Sequence, residues 1–191
     1  MTEAFLASIA VVALAEIGDK TMLLAIVLAA KLRAPWQILA GIFTATIANH
    51  ALAALIGSEI AGLIDAPWFR IAVALGFIAM AAWTLVPDKL DDDEEEFRHR
   101  GGPFVTTLIA FFLVEMGDKT QVATIALGAQ YHSIVAVACG TTLGMMIANA
   151  PAVFLGEELV RHISLKATRI AAAVLFLALG LWMLAEATGF L

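Results

Sequence analysis

Six stretches of the chain are apolar enough and long enough to cross a bilayer, at about residues 4–30, 36–57, 69–87, 104–129, 133–156 and 168–190. Polar and turn-forming residues separate them: Lys31, Arg33 and Pro35; Asp65 and Pro67; the segment from Pro87 to Pro103; Gln130 and His132; and Glu157 to Lys166. Trp36, Trp68 and Tyr131 fall at predicted helix ends, with Trp83 and Trp182 near the opposite ends of theirs, which is where interfacial aromatics anchor a span. The pattern predicts an all-α integral membrane protein with six transmembrane helices in a lipid bilayer. The first stretch reads as a span rather than a cleaved leader, because no positive segment precedes it and it is too long for a signal core.

Composition agrees with that reading. Hydrophobic residues make up 62% of the chain and charged residues 15%, against roughly 45–50% and 25% in soluble domains. A net charge of −6 excludes a nucleic-acid-binding surface, which needs a basic stripe. Lys31, Arg33, Lys89, Arg98, Arg100, Arg161, Lys166 and Arg169 follow the first, third and fifth stretches, whereas Arg70 stands alone on the other side. The positive-inside rule therefore expects both termini outside the cytoplasm and the central loop within it. That loop carries the run from Asp91 to Glu96, whose self-repulsion predicts a solvated linker; a cation-capturing role is the other reading of it. Cys139 is the only cysteine, cannot form an internal disulfide, and is expected as a small buried packing residue.

The chain repeats itself. Shifted by 99 residues, Glu16, Gly18, Asp19, Lys20 and Thr21 fall on Glu115, Gly117, Asp118, Lys119 and Thr120. At the same offset Gly41 meets Gly140, Gly57 meets Gly156, Arg70 meets Arg169 and Trp83 meets Trp182. Three predicted spans per half is an odd number, so the second half must enter the membrane from the opposite face. The expected architecture is two inverted-topology three-helix repeats, residues 1–87 and 104–191, joined by an acidic cytoplasmic linker at 88–103. Many secondary transporters share that arrangement and bind their cargo near the midplane where the repeats meet.

Each half carries one E-x-G-D-K-T block within its first span. An acid at the centre of a spanning helix costs roughly 2.5–3.5 kcal/mol, so four cost on the order of 10 kcal/mol before pairing. Glu and Asp three apart share a helix face, and two such faces would bring Glu16, Asp19, Glu115 and Asp118 together. Gly18 and Gly117 permit close helix approach or a local break that frees carbonyl ligands. Four carboxylates against Lys20 and Lys119 leave the pocket at −2, a charge that one divalent cation or two protons would neutralise. The outline is that of a divalent cation/proton antiporter. Carboxylates, the hydroxyls of Thr21 and Thr120, and the amides of Gln121, Asn49 and Asn149 are all oxygen donors, a set suited to Mg2+, Ca2+ or Mn2+. Asn49 and Asn149 equally suit interhelical hydrogen bonds. His50, which the repeat aligns with Asn149, reads as a packing residue or a proton relay. Glu59, Asp65, Glu157, Glu158 and Glu186 fall at helix ends.

With its paired motifs, the whole chain resembles the Gdt family of cation/proton antiporters, a duplicated six-helix group defined by two such blocks. The resemblance implies that Glu16, Asp19, Glu115 and Asp118 hold the metal, with Thr21, Thr120 and Gln121 beside them. It further implies Mn2+ or Ca2+ as cargo, no prosthetic group, protons as counter-ion, and export. It also implies that the acidic central loop is cytoplasmic. Without an added targeting segment the chain looks bacterial, which places it in an inner (plasma) membrane. The sequence is compatible with a single copy or a homodimer. The alternative within transport is a six-helix exporter of amino acids or another small solute. An intramembrane aspartyl protease needs neither an inverted repeat nor lysines beside its acids, so no enzyme is expected.

Overall fold

A computed structural model describes residues 1–63, 67–87, 101–156, 158 and 164–190. The acidic run from Asp91 to Glu96, together with Asp65 and Glu157, lies outside the described residues. Those residues form eight α-helices: α1 (Thr2–Glu16), α2 (Lys20–Leu32), α3 (Pro35–Leu63), α4 (Pro67–Thr84), α5 (Gly102–Glu115), α6 (Lys119–Tyr131), α7 (Ile134–Leu155) and α8 (Leu165–Ala187). Three of them, α3, α7 and α8, are long and apolar enough to cross a membrane, while α4 and α5 are shorter apolar helices. Large side chains such as Leu6, Phe43, Leu52, Leu75, Leu113, Val135, Phe154 and Leu181 are exposed. Inside, the packing includes Asp, Glu, His and Asn. This is the inverse of a water-soluble protein and identifies a membrane protein.

The predicted first and fourth spans are each broken in two. α1 ends at Glu16 and α2 starts at Lys20; α5 ends at Glu115 and α6 starts at Lys119. The cause is local and repeated. Ile17 and Met116 leave the helix with ψ of 107° and 117°, and Gly18 and Gly117 follow at φ of +89° and +81°. Only glycine enters that region at no steric cost. Asp19 and Asp118 then take the extended conformation of an N-cap, yet neither carboxylate caps its helix. At about 1.5 Å per residue each fragment is about 20–22 Å long, short of the roughly 30 Å hydrocarbon core. The expectation that Glu and Asp share one continuous helix face is therefore replaced: the break, not the helical period, sets their relation.

Helix boundaries recur at the offset of 99 residues for α2 and α6, which run Lys20–Leu32 and Lys119–Tyr131, and both end on a left-handed residue, Arg33 and His132. The main packing pairs are α1 with α7, α3 with α5, α6 and α7, and α4 with α8. Between α4 and α8 the repeat mates Phe77 and Phe176 touch, ring centroids 6.1 Å apart. One apolar cluster surrounds Met22, Ile38, Ile42, Phe111 and Met145, and a second surrounds Phe77, Met80, Leu127, Phe176 and Met183. Where α3 crosses α6 the backbones are in contact. A methyl group added at Gly57 would stand 2.9 Å from Ala129 N and nearer still to the Ile125 carbonyl oxygen, and one at Gly128 would stand 2.9 Å from Ala54 Cα.

Cys139, expected in the interior, is exposed on α7 between buried Ala138 and Gly140. Apolar neighbours do not separate inside from outside when the outside is itself apolar, so the sequence context of the thiol carries no information about its side. The tryptophans at helix ends are exposed, as anchors are, with Trp36 and Trp68 the most so.

Candidate cation site

The two helix breaks bring their acids together in the interior, although Met116 and Gly117 of the second break are themselves exposed. Carboxylate oxygens of Glu16, Asp19 and Asp118 all stand within 4.8 Å of each other, and all three residues are buried. Three ionised carboxylates at that spacing repel by roughly 3 kcal/mol per pair even at an effective dielectric constant of about 20. A divalent cation relieves all three repulsions at once, and protons do so in part. Backbone supports both states. The freed carbonyls at the ends of α1 and α5 favour a cation, and the N-termini of α2 and α6 favour the acids.

The motif residues around this triad are not used symmetrically. Thr21 donates a hydrogen bond to Glu16 Oε2. Its repeat mate Thr120 donates to Asp118 Oδ2 at 3.4 Å. Glu16 Oε1 is left with no hydrogen-bond partner. Lys20 of the first half lies 3.9 Å from Asp118 of the second. Lys119 donates to the Val86 carbonyl at 3.2 Å and stands 5.9 Å from the Trp83 ring. There it binds the C-terminal end of α4, where helix carbonyls attract a cation.

Glu115, the fourth acid, is outside the triad but within electrostatic reach of Glu16. It turns to α3, where His50 Nε2 lies 2.6 Å from Oε1 and Thr46 donates to Oε2 at 3.5 Å. Asn49 joins helices, donating to the Phe112 carbonyl at 3.1 Å. Asn149 bonds within its own helix to the Met145 carbonyl at 3.1 Å and to Met145 Sδ at 2.8 Å. Gln121 accepts from Gly117 N–H at 2.7 Å and so braces the second break. His50 and Thr46 were not among the site residues expected from sequence. The available signal was a group of polar side chains, Thr46, Asn49 and His50, within about one turn of a mostly apolar helix.

Thr21 offers a graded test. Thr21→Ser keeps the hydroxyl that orients Glu16 and should leave metal affinity near normal. Thr21→Val keeps the shape but removes the donor, and should weaken divalent-cation binding about tenfold, the low end for loss of a partner that orients a ligand. Isothermal titration with a divalent cation compares the two; equal affinities would remove Thr21 from the site.

The sequence matches the family model described as divalent cation/proton antiporter GDT1 over residues 4–92 and 103–189. A proposed manganese exporter of Vibrio cholerae is 49% identical over 175 residues, covering 91% of this chain and 86% of the Vibrio protein. GDT1-like protein 5 of Arabidopsis thaliana is 29% identical, with 95% of each chain covered. A GDT1-like protein of Synechocystis is 29% identical, with 92% of this chain and 94% of its own covered. No solved structure matches. The family transports and does not catalyse; its divalent cation is cargo rather than a prosthetic group, which sets aside an amino-acid substrate. The chain belongs to the divalent cation/proton antiporter family.

Proposed function

We propose that the protein exports Mn2+ from the cytoplasm in exchange for protons, with Ca2+ as a second possible cargo. The observation that carries this reading is the buried triad of Glu16, Asp19 and Asp118, contributed by both halves at two helix breaks. Mn2+ is favoured by the similarity to the Vibrio cholerae protein. The pocket belongs to a six-span molecule in which residues 1–87 and 104–191 are inverted-topology repeats, with the acidic segment 88–103 between them. Contact between the repeat mates Phe77 and Phe176 supports a pseudo-twofold axis through the α4–α8 packing. Both termini lie outside the cytoplasm and the linker inside it, in a bacterial inner membrane, by the distribution of Lys and Arg. Glu16, Asp19, Asp118 and Glu115 hold the ion; Thr21, Thr120 and Gln121 orient or brace them.

The exchange follows from charge. With the cation gone, the acids need other positive charge before the pocket can cross its low-dielectric barrier, and protons from the far side supply it. Proteoliposomes carrying the purified protein and a trapped Mn2+-sensitive dye test this. Mn2+ flux should follow an imposed pH gradient and stop when an ionophore collapses it, with an opposing proton flux seen by a pH dye. Flux indifferent to the gradient would remove the antiport, and no flux would remove the function.

A further inference from the structure

His50 has no assigned task, yet it is among the largest fully buried side chains, with no exposed surface. It sits on α3, with Nε2 2.6 Å from Glu115 Oε1 and Nδ1 without a hydrogen-bond partner. A buried imidazole ordinarily engages both nitrogens. Glu115 Oε1 meets His50 Nε2 alone. The repeat puts Asn149 at the equivalent position, but its amide nitrogen is engaged by Met145 on its own helix. One half thus presents a nitrogen donor at the fourth acid, and the other presents none.

We propose that His50 is a ligand to the transported ion, joining Glu115 to give the oxygen pocket one nitrogen donor and so favouring first-row transition cations such as Mn2+ over Ca2+. Ca2+ takes oxygen ligands, whereas transition cations also accept imidazole. The spacing suits the role. Ligands at right angles on an ion with bonds of about 2.1 Å stand about 3.0 Å apart. Parting the His50–Glu115 pair by a few tenths of an ångström gives that span, and ion binding must also draw the pair toward the triad, from which it stands apart. The proposal rests on the metal-transport reading above and adds to it the donor that sets ion preference.

Pulsed electron paramagnetic resonance of Mn2+ bound to the purified full-length protein reads the ligand directly. A 14N coupling should be present and should change to 15N when the protein is made with 15N-histidine. His50→Asn, which installs the residue found at the mate position, should abolish the coupling and lower the Mn2+/Ca2+ affinity ratio at least about tenfold. Bound Mn2+ without a histidine coupling, or a coupling and ratio unchanged in His50→Asn, would overturn the proposal while leaving metal transport standing. No bound Mn2+ at all would overturn both. If His50→Asn fails to fold, the isotope comparison is made on protein in which His99, His132 and His162 are replaced by Asn, so that His50 is the one histidine left; loss of the coupling there would overturn the proposal.

Discussion

Replacing Glu16 by Gln is expected to abolish Mn2+ export while leaving the protein folded. The amide keeps the shape of the side chain and can still accept the Thr21 hydrogen bond. It removes one of three negative charges whose ligand atoms lie within 4.8 Å. Losing a partner that merely orients a ligand costs up to about a hundredfold in metal affinity, so losing a charged member of the triad should cost at least that. Stability without metal should hold, because protons already neutralise the metal-free acids and the amide replaces a neutral carboxyl of the same shape, so metal-free Glu16→Gln should melt with the unsubstituted protein. The added stabilisation by Mn2+, which follows from binding to the folded state alone, should disappear. Asp118→Asn should behave alike in both respects. Cells lacking their own manganese exporter provide the functional readout. If either variant protects them from Mn2+ as well as the unsubstituted protein does, the triad is not the transport site.

A second large effect is expected at the crossing of α3 and α6. Gly128→Val places a branched side chain where the Ala54 backbone lies within 2.9 Å of the first added carbon, and neither helix can yield without breaking the reciprocal contact at Gly57. Close backbone approach at small residues is the main source of helix association in lipid, where apolar burial between helices gains little. Overpacking costs about 1–3 kcal/mol in cores that relax partly; two apposed backbones put this site at the upper end. For a chain of this length that corresponds to a fall of roughly 6–12 °C in melting temperature. Gly76→Ala on α4 is the control, since nothing lies within 4 Å of its added methyl group, and it should melt with the unsubstituted protein. Thermal unfolding in detergent compares them. Gly128→Val melting normally would mean that the α3–α6 seam does not hold the fold.

Much of this was legible in the residues. Hydrophobic segmentation located the long helices to within a few positions, and the duplicated E-x-G-D-K-T block pointed to acids brought together from both halves. The glycine in that block left close helix approach and a local break both open, and the φ values of Gly18 and Gly117 show the break twice. Two things were not legible. The side on which Cys139 lies depends on which face of α7 meets protein, and a thiol suits lipid and protein alike. The partner of Glu115 depends on α3 passing it 65 positions earlier in the chain, at His50, a proximity no local pattern encodes.

By itself the sequence determined whatever both halves share: apolar spans, a glycine that permits a break in each, and an acid on either side of it. Near-identical local sequences have near-identical local preferences, so these features come in pairs. The tertiary structure decided how members of a pair differ. Glu16 joins a triad while Glu115 turns to His50; Gly57 is pressed against α6 while nothing lies within 4 Å of an added methyl at Gly156. A repeat writes the same instructions twice, but one conformation of the folded chain packs its two copies against different neighbours. Those neighbours, not the motif, set which acids face each other and what else can reach the ion.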